Sequence, residues 1–186
     1  DGIFAIATTG AVTIADASNL DYETTTSYTL TIVAYDASSS DVEDITISIT
    51  NVNDAPTVSS AISDASTAED AAYSLDISGN FDDEDTSDSL SFSATGLPSS
   101  GNLAITSAGV ISGTPTNADV GAHTIIVTAT DTGTGTLTVS DTYVLTVTNT
   151  NDAPTATAIS DASTAEDAAY SLDVSGNFAD VDVGDT

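Results

Sequence analysis

The sequence predicts an all-β protein made of tandem Greek-key β-sandwich domains in an elongated array, and three observations support this. First, segments such as "YTLTIVAYD" (28–36) and "DTYVLTVT" (141–148) alternate apolar residues with Ser or Thr, and β-branched residues dominate them. Second, turn signals such as "SGN" and "DTGTGT" separate the segments, and about seven strands per hundred residues is typical of a Greek-key sandwich. Third, the chain repeats itself.

The predicted strands follow from the alternation alone, and a turn or loop lies between each pair. The stretch "STAEDAA" (66–72) has some helical propensity, but it stands between strand-like segments, so we expect a loop there. The clearest predicted strands, in chain order, are "YTLTIVAYD" at 28–36, "DITISIT" at 44–50, "LSFSA" at 90–94 and "DTYVLTVT" at 141–148.

The domain organisation is predicted from internal repeats. The fifteen residues "ISDASTAEDAAYSLD" occur at 62–76 and again, letter for letter, at 159–173. The linker "NVNDAPT" (51–57) likewise matches "NTNDAPT" (149–155). Such self-similarity indicates repeated domains, and we expect the 186 residues to be a window on a longer array. The predicted boundaries are 1–56 for the C-terminal part of one repeat, 57–154 for a complete repeat and 155–186 for the N-terminal part of a third.

The charge of the chain is entirely one-sided. It has 29 acidic residues and no Lys or Arg, so its formal net charge is −29 and no carboxylate can form an ordinary salt bridge with a basic side chain. Self-repulsion must therefore be relieved by bound metal, by salt or by spacing the charges apart. Nucleic acid and anionic membranes are excluded as partners because both require cationic side chains. No apolar run approaches the roughly 20 residues that span a bilayer, which argues against membrane insertion.

A comparison of the two copies just after the fifteen-residue repeat singles out alternate acids. The segments 81–88 and 178–185 differ at several positions, yet both retain an Asp-x-Asp pattern. Alternate residues of an extended segment point the same way, so the two carboxylates can converge on one ion. Calcium takes six to eight oxygen ligands, whereas zinc favours His and Cys, of which the chain has one and none. The full retained pattern is Asp-x-Asp-x-x-Asp, in which Asp83, Asp85 and Asp88 keep their partners Asp180, Asp182 and Asp185.

Several short motifs resemble the calcium motifs of cadherin repeats, namely "LDYET", "AYD", "NVNDAP", "AED" and "DED". The middle repeat, with "GLPSSGNLAI" and "GVISGTPTNADVG", is similar to the dystroglycan-type cadherin-like domains of bacterial surface adhesins. The resemblance implies Ca²⁺ ions between consecutive domains. For the first junction it implies the ligands Asp21, Glu23, Asn53, Asp54, Asp83, Asp85 and Asp131. For the second it implies Glu69, Asn151, Asp152, Asp180 and Asp182, with Asp119 as the stand-in for an Asp/Glu pair.

Two departures from the cadherin pattern bear on these sites. Asn51 and Asn149 stand where cadherins usually have Asp, and the middle repeat lacks a full counterpart of "LDYET". We therefore expect the second junction to bind fewer ions or to bind them more weakly. The bland alternative is that the acids are turn residues or a solubility adaptation, since Asp and Asn are common in β-turns.

The predicted function is structural and non-enzymatic, because no catalytic motif appears. We expect a calcium-stiffened extender segment of a long extracellular bacterial adhesin or surface filament. Its predicted partners are calcium ions, neighbouring repeats of the same chain and, in a filament, other copies. Two alternatives stay open: a domain that itself mediates homophilic or glycan adhesion, and a noncatalytic spacer of a secreted polysaccharide-degrading enzyme. The aromatic content of 5% argues against glycan binding.

Overall fold

The computed structural model describes residues 2–100 and 102–182, and it confirms the all-β fold. Its elements are β-strands and three short 3₁₀ turns, Ser78–Asn80, Asn117–Asp119 and Ser175–Asn177. No helix in the described part of the chain is long and apolar enough to cross a membrane. The strands are β1 (Phe4–Ile6), β2 (Val12–Ile14), β3 (Ser27–Tyr35), β4 (Ser40–Ser48), β5 (Thr57–Val58), β6 (Ala65–Ala68), β7 (Tyr73–Asp76), β8 (Phe81–Asp82), β9 (Ser91–Thr95), β10 (Ala104–Ile105), β11 (Val110–Gly113), β12 (Gly121–Thr130), β13 (Thr138–Thr148), β14 (Thr155–Ala156) and β15 (Phe178–Ala179).

The chain divides into two compact units that are not simple sequence blocks. Each unit gathers segments from distant parts of the chain, and each contains one group of predicted ligands. The repeat boundaries at residues 56 and 154 are a sequence-based division and stay a prediction. The first unit comprises Asp1–Thr57, Asp82–Leu90 and Thr130–Val139, and the second comprises Val58–Phe81, Ser91–Ala129 and Ser140–Thr186.

The second unit contains the central sandwich. One sheet has the strand order β6-β13-β12-β9, and the other has the order β10-β11-β7. Strand β6 runs parallel to β13, with Leu145 beside Ala65, whereas β7 and β10 are antiparallel to β11. In the C-terminal halves of β12 and β13 every second side chain is buried, and most of the residues between them are Thr. This two-residue period produces one apolar and one polar face on each strand.

The apolar core lies between the two sheets of the second unit. Burying these apolar side chains supplies the main driving force for folding this unit. The rings of Phe81 and Phe92 pack together with their centroids 5.5 Å apart. The buried apolar residues are Ile62, Ile77, Phe81, Phe92, Leu103, Ile111, Ile125, Val127, Ala129, Tyr143, Leu145 and Val147.

The first unit has the same strand pairs as the second, but its apolar side chains are less buried. Strand β1 pairs with β2 so that Ile6 lies beside Val12, and β10 pairs with β11 so that Ile105 lies beside Ile111. In this unit, however, Ile6 is 55% exposed, and β3 and β4 form a two-stranded sheet. The sequence match between the repeats therefore extends to strand register, although it does not extend to burial.

The predicted loop at "STAEDAA" is wrong for its first three residues in the first copy. Ser66 to Ala68 belong to β6, because β13 offers a free edge with which they pair. The same letters at 163–169 form no strand, and only a turn at Glu166 and Asp167 is present there. A strand edge remote in sequence, rather than the local residues, therefore decides the conformation.

The turn between β3 and β4 is organised by Asp36. Its Oδ1 accepts hydrogen bonds from the backbone N–H groups of Ser38 (2.8 Å) and Ser39 (2.7 Å) and from both hydroxyls. These bonds, the backbone N–H of Ser38 foremost, lower the pKa of Asp36 to about 2, because they stabilise the ionised carboxylate.

Asp36 is therefore expected to make the stability of the chain depend on pH in the acid range. Its folded pKa lies below the unfolded value of 3.8, so its contribution is present above pH 3.8 and is lost as the pH falls towards 2. We expect Asp36→Asn to lose less thermal stability than the wild type between pH 5 and pH 2.5. Melting curves in chelator at both pH values test this, and an identical loss in both proteins would contradict it.

Candidate metal centres

The first centre is built around Asp85 and lies within the first unit. Asp85 is only 2% exposed. Its Oδ1 accepts a hydrogen bond from Asn51 Nδ2 at 2.7 Å, and its Oδ2 accepts one from the backbone N–H of Asp54 at 2.7 Å. The backbone N–H of Asp85 in turn donates to Asp83 Oδ1 at 3.0 Å. The linker and the Asp-x-Asp segment are thus joined through one carboxylate, and we call this arrangement the Asp85 cluster.

A second buried carboxylate, that of Asp131, holds the other side of the same linker. Its Oδ2 accepts a hydrogen bond from Asn53 Nδ2 at 3.0 Å, and its Oδ1 accepts two from the backbone N–H groups of Gly133 and Leu137. Gly133 packs closely here, because a Cβ atom at this position would displace the side-chain ends of Asn53 and Asp88. The linker therefore contacts both acidic loops of this unit closely.

An open cavity of about 310 Å³ lies beside the Asp85 cluster. Its walls include four carboxylates, those of Asp21, Glu23, Asp54 and Glu84. Asp21 is fixed by its own turn, where its Oδ1 accepts from the backbone N–H groups of Glu23 and Thr24. The structure thus brings the predicted ligands Asp21, Glu23 and Asp54 to one cavity, together with Glu84, which the sequence analysis left out because its counterpart in the second copy is Val181.

The pKa values of two carboxylates in this unit are shifted in opposite directions. Burial first, and then the charges of Asp85, Asp131 and Asp88, raise the pKa of Asp83, and its Oδ2 is buried without a hydrogen-bond partner. In contrast, hydrogen bonds from the Asp54 backbone and from the Asn51 amide lower the pKa of Asp85. The chain has no Lys or Arg, so no basic side chain of its own neutralises these carboxylates.

The second unit repeats the arrangement of the first. Asp182 Oδ1 accepts from Asn149 Nδ2 at 3.0 Å, and Asp182 Oδ2 accepts from the backbone N–H of Asp152 at 2.7 Å. The backbone N–H of Asp182 donates to Asp180 Oδ1 at 2.9 Å. We call this the Asp182 cluster. The same three hydrogen bonds therefore form at two places, from different copies of the linker and of the Asp-x-Asp segment.

Three acids of the second unit lie close enough to share one ion. Ligand oxygens of Glu69, Asp70 and Asp152 all lie within 4.8 Å of one another. Glu69 is buried, and its Oε1 accepts from the backbone N–H of Thr150 at 2.8 Å, whereas its Oε2 is buried without a partner. Burial, and then the charges of Asp182 and of the two neighbouring acids, raise the pKa of Asp152. An unpartnered buried carboxylate oxygen is costly unless something neutralises it.

Asp70 is a member of this group that the sequence analysis missed. Its backbone has φ of 57°, in the left-handed region that Asp tolerates better than most residues, and its N–H donates to the carbonyl oxygen of Pro115. With this conformation the carboxylates of the consecutive residues Glu69 and Asp70 both lie near that of Asp152. The motif "AED" contained the signal, because an acid that directly follows a predicted ligand in a turn is itself a candidate.

Two predicted ligands are engaged in other ways. Both carboxylate oxygens of Asp119 accept hydrogen bonds, from Thr116 and from the backbone N–H of Ser100, so Asp119 caps the turn at 117–119. Burial raises the pKa of Asp119, but these hydrogen bonds outweigh it, and the pKa lies below its ordinary value. Asn151 Nδ2 donates to the backbone oxygen of Asp152. Their roles as ligands stay predictions.

The chemistry of both groups fits a hard divalent cation. The available donors are carboxylate, amide and backbone oxygens, which calcium prefers, and these groups contain no thiolate or imidazole. Asp83 Oδ2 of the Asp85 cluster is buried without a hydrogen-bond partner, and so is Glu69 Oε2 of the group with Asp70 and Asp152. The donor chemistry of these residues therefore fits Ca²⁺.

Comparisons with known proteins agree on the fold. Residues 55–148 match a family model described as "Putative Ig domain", which covers half of the chain. The EC22-24 segment of mouse cadherin-23 aligns with a TM-score of 0.60 at 22% identity, over 80% of this chain and 50% of that one. The chain thus spans half the length of that segment. No curated protein sequence matches the chain.

Two human structures are similar to the same extent. The EC21-23 segment of CDH23 aligns with a TM-score of 0.63 at 20% identity, over 84% of this chain and 59% of that one. The EC1-2 segment of protocadherin-24 aligns with a TM-score of 0.61 at 19% identity, over 80% of this chain and 77% of that one. At these identities the likeness concerns the fold alone.

Proposed function

The chain belongs to the family described as "Putative Ig domain", and on that premise we propose that it is a calcium-stiffened extender segment of a long extracellular protein. Its role is mechanical and not catalytic. The parent protein is a bacterial adhesin or surface filament, in which repeats of this kind hold a distal binding module away from the cell. Calcium ions and neighbouring repeats are its partners.

The observation that carries this proposal is the duplication of one arrangement. The Asp85 and Asp182 clusters use the same three hydrogen bonds to join an "NDAP" linker to an Asp-x-Asp segment. Equivalent residues of two copies of the repeat thus place acids around both linkers in the same way. Each group also keeps an unpartnered buried carboxylate oxygen, which a cation would satisfy.

Calcium would stiffen the chain by adding bonds where the metal-free protein has repulsion. Without metal, each linker is held by a few hydrogen bonds against the mutual repulsion of several carboxylates. A bound Ca²⁺ would convert that repulsion into attraction and hold the linker and the acidic loops together. Force along a tandem array acts on the linkers, so their rigidity decides the reach of an extender.

We expect Asp54→Asn to reduce the calcium dependence of the size of the chain in solution. Asp54 lines the cavity of the first unit, whereas its backbone N–H, which binds Asp85, is unchanged by the substitution. Small-angle scattering should show the wild type becoming more compact or more flexible on chelation, and the variant should respond less.

The matched control is Asp41→Asn, which removes the same charge from the exposed face of β4. It should behave like the wild type. If Asp54→Asn and the wild type give the same calcium-dependent scattering profile, the assignment of Asp54 as a ligand is wrong.

A further inference from the structure

Each linker begins with an asparagine whose side-chain amide donates a hydrogen bond to a carboxylate of the proposed metal site. Asn51 Nδ2 donates to Asp85 Oδ1 at 2.7 Å, and Asn149 Nδ2 donates to Asp182 Oδ1 at 3.0 Å. The other oxygen of each carboxylate is already held by a backbone N–H of the linker. Both carboxylates are therefore satisfied in the protein as it stands, although no basic side chain is available.

We infer that Asn51 and Asn149 act as built-in substitutes for the cation, so that each cluster stays organised without calcium and binds calcium more weakly than it would with a carboxylate at that position. This inference rests on the proposed function, because it concerns the regulation of the same sites. The amide hydrogen supplies the partial positive charge that the carboxylate lacks. A cation that approaches the oxygen along the same lone pair must displace that hydrogen bond, and this competition weakens its binding.

The chemistry of the amide suits both states. Rotation of the Asn51 amide by half a turn brings its carbonyl oxygen to the place of its nitrogen, so the same side chain can donate to Asp85 or present an oxygen to a cation. A carboxylate at this position could do only the second, because it has no hydrogen to donate. It would then place two negative groups at hydrogen-bond distance in the metal-free protein.

The unpartnered oxygens indicate where a cation would first bind. Asp83 Oδ2 and Glu69 Oε2 are buried and accept no hydrogen bond. In contrast, each carboxylate oxygen of Asp85 and of Asp182 accepts one hydrogen bond. The ion would therefore meet Asp83 or Glu69 first. The amide would turn only after this encounter.

The test is Asn51→Asp in the full chain, compared with the wild type in chelator and in a calcium titration. In chelator we expect the melting midpoint to fall by at least about 3 °C, because a hydrogen bond to a charged group becomes a repulsion. In the calcium titration we expect the apparent Kd to fall about tenfold or more, because ligand charge sets affinity in oxygen sites. Asn149→Asp should do the same in the second unit.

Two further variants separate the effect of losing the amide from the effect of adding a negative charge. Asn19→Asp adds the same charge beside an exposed acid, since Asn19 Nδ2 donates to Asp16 Oδ2 at 3.2 Å, and it should change neither quantity. The exchange Asn51→Asp with Asp85→Asn restores one donor and one acceptor, so it should recover the midpoint in chelator.

The two readouts keep this inference distinct from the proposed function. The calcium titration of the wild type tests the proposed function, and the midpoints in chelator test the substitution of the cation by the amide. If Asn51→Asp leaves the midpoint in chelator unchanged, or if Asn19→Asp lowers it equally, the inference is overturned. A calcium affinity that is the same in Asn51→Asp and in the wild type also overturns it.

Discussion

Truncation of Leu145 to Ala is expected to lower the free energy of unfolding of the second unit by about 2–5 kcal/mol, the usual range for a fully buried leucine. Leu145 lies on β13, has no exposed surface and stands beside Ala65 of β6. The loss combines the transfer of the removed methyl groups with the cavity left behind. Urea unfolding followed by far-ultraviolet circular dichroism measures it.

The matched control is Ile47→Ala, at the corresponding position of the first repeat. Ile47 lies on β4, where the side chain is only half-buried. Less apolar surface is removed from water there, so the expected cost is well below that of Leu145→Ala. Equal costs for the two substitutions would contradict the division of the chain into one well-packed sandwich and one partly covered repeat.

Calcium at millimolar concentration is expected to raise the melting midpoint of the chain markedly over that in chelator, with sodium held constant. A ligand that binds only the folded state adds about 2.7 kcal/mol per site when its concentration is 100 times Kd. Two occupied clusters would add up to twice that. Differential scanning calorimetry gives both the midpoint and its calcium dependence.

The variant Glu69→Gln locates part of this stabilisation. Glutamine keeps an oxygen for the bond from the Thr150 backbone but replaces the second carboxylate oxygen with an amide nitrogen. We expect the calcium-dependent gain to shrink in this variant, while the midpoint in chelator stays the same or rises because one negative charge is lost. A full calcium response in Glu69→Gln would remove Glu69 from the set of ligands.

The fold class was predictable because alternation of apolar and polar residues is a local signal. The predicted strands at 28–36, 44–50, 90–94 and 141–148 correspond to β3, β4, β9 and β13 of the structure. Each has a two-residue period that a helix could not satisfy. The boundaries of β3 and β9 differ from the prediction by one residue at each end, whereas β13 begins three residues earlier and β4 begins four residues earlier, at Ser40 in a stretch of Ser and Asp.

The fifteen-residue repeat shows what local sequence cannot decide. Ala65–Ala68 and Tyr73–Asp76 are strands, whereas the same letters at 162–165 and 170–173 form none. The strands exist where β13 and β11 supply edges, and the corresponding edges are absent beside the second copy within the described residues. The 3₁₀ turn that follows, however, forms in both copies, because it depends only on its own residues.

The candidate sites were predictable to the extent that they depend on the Asp-x-Asp alternation and on the linkers. The motifs predicted that a linker and an Asp-x-Asp segment share a site, and in the structure Asp85 and Asp182 each accept two hydrogen bonds from a linker. Their role as calcium ligands stays a prediction. The proximity of Asp70 to Glu69 and Asp152 depends on a left-handed backbone conformation, which alternation does not encode. The donor role of the linker asparagines is likewise not encoded in the alternation, because the sequence does not show whether the amide nitrogen or the amide oxygen faces the carboxylate.

The central claim is that the two clusters bind calcium, and equilibrium dialysis of the chain against calcium at fixed sodium tests it most directly. We predict saturable uptake of at least two ions per chain, reduced by Glu69→Gln and by Asp54→Asn and unchanged by Asp41→Asn. Uptake that rises without saturation, or that is equal in all four proteins, would contradict the account, because it would mean that the acids attract calcium only as a diffuse counterion.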